Sequence, residues 1–419
     1  MPIINVSAKS NSIRGSISLP ASKSISNRLL IIRALAGHNF EIRNLSTADD
    51  TVLMQHLLLK IQQSKNSTKA LELDCGNAGT VLRFLTALLA IRPGKWILTG
   101  SERMKQRPVG ILVESLNQLG AGIQYVDKTG FPPLSIVGKE LEGTEISMDG
   151  NISSQFVSAL ILIAPLLEKG LKINLRGSVS SRPYIEMTLG LLNKFGVNAV
   201  IDKNKINIPP QTYKDGEITV ESDWSSASFW YEIAALSREA DIRLENLSKD
   251  SLQGDSILPG IFEQLGVKTR FSNNAVQLIK TEKKTGTLIY DFTNHPDLAL
   301  PVIVTAAALN IQGRFSGLEN LRIKESDRLL AMVNELSKLG FKTELNEQFV
   351  LTTIPRKGND DPHNFSKPVQ TYADHRMAMA FAPLALVASH LSIDDPEVVA
   401  KSYPAFWSDL SSCGFDCKN

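Results

Sequence analysis

Apolar positions recur at helical spacing in five stretches, each ending on an apolar residue or cysteine followed by glycine: Leu119-Gly120, Phe195-Gly196, Leu265-Gly266, Leu339-Gly340 and Cys413-Gly414. In the first of them Ile111, Leu112, Ser115, Leu116 and Leu119 share one face, the pattern of an amphipathic helix. Glycine closes such a helix because it adopts the left-handed conformation without a Cβ penalty. The starts are marked as well, by Arg107-Pro108, Arg182-Pro183, Gly254-Asp255-Ser256, Ser326-Asp327 and Tyr403-Pro404. The glycines are 70 to 76 residues apart. A sixth helix, Asp50 to Lys60, fits the same role without a closing glycine. Between the helices lie strand-like runs such as Trp96-Ile97-Leu98-Thr99, Ile218-Thr219-Val220 and Val350-Leu351-Thr352-Thr353. Six α/β units of roughly 70 residues therefore account for the chain. With three units per domain, the boundary falls near Glu221. A duplicated scaffold without any site satisfies this pattern equally well.

Composition narrows the class. The 419 residues exceed what one ordinary core organises, and 43% hydrophobic with 21% charged residues describes a globular protein. The longest apolar run, Phe156 to Leu167, contains a proline and is too short to span a bilayer, so it reads as a buried helix. A formal net charge of +2 gives no global attraction to nucleic acid or membrane, and neither is expected as a partner. Cys75, Cys413 and Cys417 form no CxxC pair and no disulfide framework, which suits a reducing cytoplasm. The opening MPIINVSAKS has no cationic stretch leading into an apolar core, so no signal peptide is expected.

The candidate chemistry is in where the cations fall. A helix N-terminus carries partial positive charge, so Lys or Arg in the first turn costs stability unless an anion is bound there. This chain breaks that rule repeatedly. Ser22-Lys23-Ser24-Ile25-Ser26-Asn27-Arg28 starts a helix after the strand Ile17 to Leu19, and Gly76-Asn77-Ala78-Gly79-Thr80 starts the helix bearing Arg83. Arg103, Lys105 and Arg107 crowd the turn before Pro108, and Lys324 and Arg328 flank another helix start. Asp374-His375-Arg376 begins the helix Met377 to Leu386, and Lys401 precedes Tyr403-Pro404. Any one of these is equally a solvated charge or a salt bridge. Together they describe a site for small, multiply charged anions, with Gly76 and Gly79 allowing backbone N–H groups close to a phosphate or carboxylate.

Nine motifs in order give the chain its resemblance to the EPSP synthase family of enolpyruvyl transferases: ASKSISNR (21–28), GNAGTVLR (76–83), SERMKQRPVG (101–110), NISSQF (151–156), SRPYIEMT (181–188), HPD (295–297), NLRIKESDRL (320–329), DHRMAMAF (374–381) and AKSYPAFW (400–407). The resemblance implies a two-domain inside-out α/β barrel built from six βαββαβ-type repeats, three per domain. Residues 21–221 would form the N-terminal domain and 1–20 plus 222–419 the C-terminal one, with the active site in the cleft between them. It also implies domain closure on substrate binding, which would exclude water.

The same resemblance supplies the ligands. Lys23 is similar to the central cation that touches both substrates. Ser24, Arg28, Ser153, Ser154, Gln155, Ser181, Tyr184, Asn320 and Lys324 resemble ligands of shikimate 3-phosphate. Asn77, Gly79, Arg107, Arg328, Arg376 and Lys401, with Gln155 again, resemble ligands of phosphoenolpyruvate. Asp297 is expected to take the hydroxyl proton and also to touch shikimate 3-phosphate. Glu325 is expected to serve the methyl proton with help from Lys23. The serines have an alternative as helix caps, Ser154 above all, and Glu325 an alternative as an acid in a first helical turn. Arg83 and Arg103 would raise the local potential. The family's sensitivity to glyphosate is implied at Gly79. The chain departs from the family's usual residues at Phe84, Trp224, Arg182 and His295.

No cluster of Cys, His or Asp has metal-ligand spacing, and no metal or cofactor is implied. A monomer is expected. Two rivals are a UDP-N-acetylglucosamine enolpyruvyl transferase, which should carry a reactive cysteine where this chain reads SERMKQRP, and an RNA-terminal phosphate cyclase-like protein, which should carry a catalytic histidine and a basic RNA track.

Overall fold

The computed structural model describes residues 2–64, 69–284, 286–356, 365–388 and 390–418. Contacts divide the chain into two compact units, Lys23–Val220 and Met1–Ser22 with Glu221–Asn419. The first strands, β1 (Ile3–Ala8) and β2 (Ser12–Ile17), belong to the second of these units.

In Lys23–Val220 the chain runs α1 (Lys23–Ala36), β3 (Glu41–Arg43), α2 (Asp49–Gln63), then two full repeats. The first is β4 (Leu71–Asp74), α3 (Gly79–Ile91), β5 (Gly94–Thr99), α4 (Gly110–Gln118), β6 (Gly122–Tyr125) and β7 (Leu134–Gly138). The second is β8 (Glu145–Asp149), α5 (Ser154–Ile163), β9 (Leu171–Arg176), α6 (Arg182–Lys194), β10 (Val200–Asp202) and β11 (Lys205–Ile208). Strand β12 (Glu217–Thr219) pairs in parallel with β3 and completes the unit. Each full repeat makes one sheet: the first two strands are parallel, which requires a helix between them, and the last two fold back antiparallel as a hairpin.

The other unit repeats the pattern. After β2 come α7 (Trp224–Leu236), β13 (Glu239–Glu245), α8 (Leu258–Gln264), β14 (Val267–Ser272) and β15 (Ala275–Lys280). Then follow β16 (Thr287–Asp291), α9 (Ala299–Ala308), β17 (Gln312–Ser316), α10 (Arg328–Lys338), β18 (Lys342–Leu345) and β19 (Leu351–Ile354). The last repeat has α11 (His375–Phe381), β20 (Leu391–Asp394), α12 (Phe406–Ser412) and β21 (Phe415–Lys418). Its first strand is reduced to a parallel bridge at Val369, and β1 supplies its final strand, between β20 and β21. Six sheets thus stand for six repeats, three in each unit. The order within a complete repeat is β-α-β-α-β-β where βαββαβ was expected, because both hairpin strands follow the second helix.

The two helices of a repeat have different sequences because they have different surroundings. The first helices pack on one another, α1 with α3 and α5, and α7 with α9 and α11. They are buried nearly all round: α3 from Val81 to Ala90, α7 everywhere but Ser225. Such helices show no polar face. The expected buried helix at Phe156 is α5, continued by the short 3-10 turn Ala164–Leu166, since Pro165 has no N–H to extend the α-helix. The second helices are amphipathic; on α10 Leu329, Met332 and Leu336 are buried while Leu330 faces solvent. Five of them end at the glycines named above, with φ between +75° and +104° at Gly120, Gly196, Gly266, Gly340 and Gly414. The sixth, α2, ends at Ser64 in an ordinary conformation.

One residue conflicts with its surroundings. Glu232 on α7 is fully buried, and neither carboxylate oxygen has a hydrogen-bond partner. Burial alone pushes its pKa well above the usual carboxyl range.

Candidate active site

The candidate residues of Lys23–Val220 gather at helix starts. Lys23 opens α1, and its ammonium lies 3.0 Å from Asp50 Oδ2 in the first turn of α2. That acid escaped the sequence reading, since a carboxylate in a first turn is ordinary on its own. Arg28 is buried and its fork is nearly saturated. Nε donates to Thr188 Oγ1 at 2.7 Å, Nη1 to Ser24 O at 2.9 Å, and Nη2 to Ser158 Oγ at 3.1 Å and Tyr184 O at 3.3 Å. Its guanidinium also lies over the Phe84 ring, 5.3 Å from the centroid. Burial brings Arg28 down to about 10, with Tyr184 opposing. Arg28 therefore clasps α1, α5 and α6 together, and little of its donor capacity is left for a ligand.

The start of α3 is built for close approach. Gly76 has φ +51°, a conformation that favours glycine, and its N–H donates to Asp74 Oδ1 at 2.8 Å. Gly79 is not left-handed; what it supplies is room. A methyl there would lie 2.6 Å from Arg83 Nη1 and 2.7 Å from Arg107 Nη2. Those guanidiniums donate in turn to Gly79 O at 2.9 Å and Asn77 O at 3.3 Å. Gln155 Nε2 donates to Thr80 Oγ1 at 3.1 Å, joining the starts of α5 and α3. The cap of α5 is Ser153, which accepts from Gln155 N; capping falls to this serine and not to Ser154, the first helical residue. Ser181 precedes α6 with φ +54°, a conformation costly for a residue with a Cβ. Tyr184, in the first turn of α6, presents its carbonyl to Arg28 and to Thr188. Lys23 is paired with Asp50, while Arg83 and Arg107 bond backbone carbonyls at the start of α3.

The unit formed by Met1–Ser22 and Glu221–Asn419 carries the carboxylates. Asp297 lies in the 3-10 turn Pro296–Leu298 ahead of α9. Its Oδ2 is 3.3 Å from Arg376 Nη2, and its backbone oxygen accepts from Arg376 Nη1 at 3.0 Å. Arg328, the first residue of α10, is 2% exposed and touches three carboxylates: Asp374 at 2.7 Å, Glu325 at 2.8 Å and Asp297 at 3.4 Å. Burial works against its charge, but Asp374, Glu325 and Asp297 outweigh that and hold its pKa above the usual arginine value. Asp374 caps α11 by accepting from Arg376 N at 3.0 Å, and Ser326 Oγ donates to it at 3.1 Å. His375 is buried beside it. Asn320 lies in the 3-10 turn Glu319–Ile323, Lys324 follows that turn, and Lys401 ends the 3-10 segment Pro396–Lys401. Asp297 and Glu325 thus lean on one guanidinium. That contact favours the ionised form of both, which suits a base and opposes Glu325 as a proton donor.

The four departures are accommodated. Phe84 is buried beneath Arg28 and Trp224 in the start of α7. His295 Nδ1 pairs with Tyr290 OH at 3.0 Å, and Arg182 bonds Glu186 and the Lys203 carbonyl. Among the described residues no three His, Cys, Asp or Glu side chains are placed to hold a metal ion. No helix among them is long and apolar enough to cross a membrane.

Residues 7–410 match the family model of EPSP synthase (3-phosphoshikimate 1-carboxyvinyltransferase). The chain belongs to the EPSP synthase family. A 3-phosphoshikimate 1-carboxyvinyltransferase of Bacteroides fragilis is 47% identical over 408 residues, covering 97% of each chain. One from Vibrio cholerae is 36% identical over 420 residues, covering 95% of this chain and 96% of that one. An EPSP synthase structure from Acinetobacter baumannii superposes with a TM-score of 0.76 at 22% identity, covering both chains fully. The fold is accordingly the two-domain inside-out α/β type. As a member of this family the chain is an enolpyruvyl transferase of the shikimate pathway, and neither rival reading is favoured. Residues 101–107 hold no cysteine, and Cys75, the thiol nearest a family motif, is buried and pushed up by burial and then by Asp74.

Proposed function

We propose that this chain joins phosphoenolpyruvate to the 5-hydroxyl of shikimate 3-phosphate. Lys23, Ser24, Ser153, Ser154, Gln155, Ser181, Tyr184, Asn320 and Lys324 hold the phosphoshikimate. Lys23, Asn77, Gly79, Arg107, Gln155, Arg328, Arg376 and Lys401 hold phosphoenolpyruvate. Arg28 acts mainly by fixing the starts of α1, α5 and α6 around them.

In the first step Asp297 takes the hydroxyl proton, the oxygen bonds to the enol carbon, and the methylene carbon gains a proton. In the second the new methyl gives up a proton and the carbon–oxygen bond to phosphate breaks, releasing phosphate. The pairing of Asp297 with Arg376 and Arg328 carries this reading. A carboxylate held by two guanidiniums stays ionised and ready to accept a proton. Glu325 serves the methyl proton with Lys23 assisting. A cytoplasmic location accords with three free thiols.

The test is Asp297→Asn. Turnover should fall about 100-fold or more, the scale for losing a general base, while both substrates still bind. Near-normal turnover would remove Asp297 from the role.

A further inference from the structure

The turn that leads into α11 is held in a conformation its residues disfavour. Tyr372 and Ala373 both have positive φ, +55° and +53°. Asp374 N donates to Thr371 O at 2.9 Å across them, closing a four-residue turn with both central positions left-handed. Gly, Asn and Asp dominate such positions, because a Cβ there crowds the backbone. A Tyr-Ala pair stays in them only if its surroundings fix it.

Those surroundings come from two elements. On β20, Asp394 Oδ1 accepts from Thr371 N at 2.7 Å and from Thr371 Oγ1 at 3.0 Å. On α10, Glu335 Oε1 accepts from Tyr372 OH at 3.0 Å, and Oε2 accepts from Gln370 N at 3.1 Å. Glu335 is 2% exposed and is paired with Lys338. It lies seven residues after Arg328, so the two share one buried face of α10, two turns apart. Residues 370–374 meet both of them: Tyr372 reaches Glu335, and Asp374 reaches Arg328. Asp374 has two tasks there. It fixes the Arg328 guanidinium through Nε at 2.7 Å and Nη2 at 3.2 Å, and it caps the helix whose second residue is Arg376.

We propose that Tyr372 is a positioning residue for phosphoenolpyruvate: its bond to Glu335 holds the strained turn, and the turn sets Asp374 and with it Arg328 and Arg376. The proposal rests on those two arginines being phosphoenolpyruvate ligands. A turn that relaxes moves Asp374, so Arg328 loses its orienting carboxylate and α11 its cap. Shikimate 3-phosphate, held mainly by other residues in the scheme above, should be affected far less.

The experiment is steady-state kinetics of the parent, Tyr372→Phe, Ala373→Gly and the double variant, with the KM of each substrate separated from kcat. Tyr372→Phe keeps the ring and deletes the hydroxyl. Its KM for phosphoenolpyruvate should rise about tenfold, the scale of losing one hydrogen bond to a charged group. Its kcat and its KM for shikimate 3-phosphate should stay within about twofold of the parent. Ala373→Gly alone should leave both KM values near those of the parent. In the double variant glycine takes the left-handed φ without a Cβ, so the turn depends less on the tyrosine and most of the KM defect should disappear. An unchanged KM for phosphoenolpyruvate in Tyr372→Phe, even with a lowered melting temperature, overturns the proposal. So do equal rises for both substrates, or a defect that Ala373→Gly does not relieve. Arg376→Gln separates this proposal from the reading beneath it. If Arg376→Gln raises the KM for phosphoenolpyruvate and Tyr372→Phe does not, only the role of Tyr372 is lost. If Arg376→Gln leaves that KM unchanged, the assignment of the arginine fails first.

Discussion

Arg328→Met should destabilise the chain by about 3–5 kcal/mol and abolish measurable turnover. The cost is large because of what the arginine leaves behind. Asp374 is fully buried and Glu325 and Asp297 are mostly so, and all three direct oxygens at the same guanidinium. Methionine fills part of the volume but supplies no donor, so three carboxylates lose a cation in a site where water cannot replace it. Protonation would relieve the crowding and in doing so would neutralise Asp297, the proposed base. Urea denaturation at neutral pH gives the stability change. A loss under about 1 kcal/mol, the scale of an exposed pair, would mean that solvent reaches the cluster.

The opposite change is expected at Glu232. Both carboxylate oxygens lack hydrogen-bond partners, and burial favours the neutral acid. The folded pKa lies above the unfolded one. Stability from this group is therefore complete below the ordinary carboxyl pKa and is lost as pH rises through the folded value. Glu232→Leu should accordingly stabilise by about 2 kcal/mol near neutral pH, the scale of an unpaired buried polar group. The gain should grow with pH up to the folded pKa. Chemical denaturation of parent and variant at several pH values measures it. A gain independent of pH would mean that Glu232 is not the titrating group.

What was legible in the chain was local. A helix that ends in a left-handed glycine announces itself within a few residues, and Gly120, Gly196, Gly266, Gly340 and Gly414 all mark such ends. Cations at helix starts were legible for the same reason, because Lys23 and Arg376 break a rule about their own first turn. Partners contributed by distant segments were not. Asp50 lies 27 residues from Lys23, and Thr188 lies 160 from the Arg28 it binds. Nothing in a single sequence ties such pairs together. Asp374 was visible as part of a helix start, yet its hold on Arg328 spans 46 residues. The hairpin order of the repeats and the use of β1 in the last sheet are likewise long-range pairings. The partners of Arg28 were out of reach for a related reason: its type and motif are local, but Thr188, Ser158 and Tyr184 come from distant segments.

The most direct test of the account is phosphate release by the purified chain given phosphoenolpyruvate and either shikimate 3-phosphate or UDP-N-acetylglucosamine. The prediction is one phosphate for each phosphoenolpyruvate consumed with shikimate 3-phosphate, and none above background with the UDP-sugar. Release that depends on the UDP-sugar, or no release with either acceptor, would contradict it.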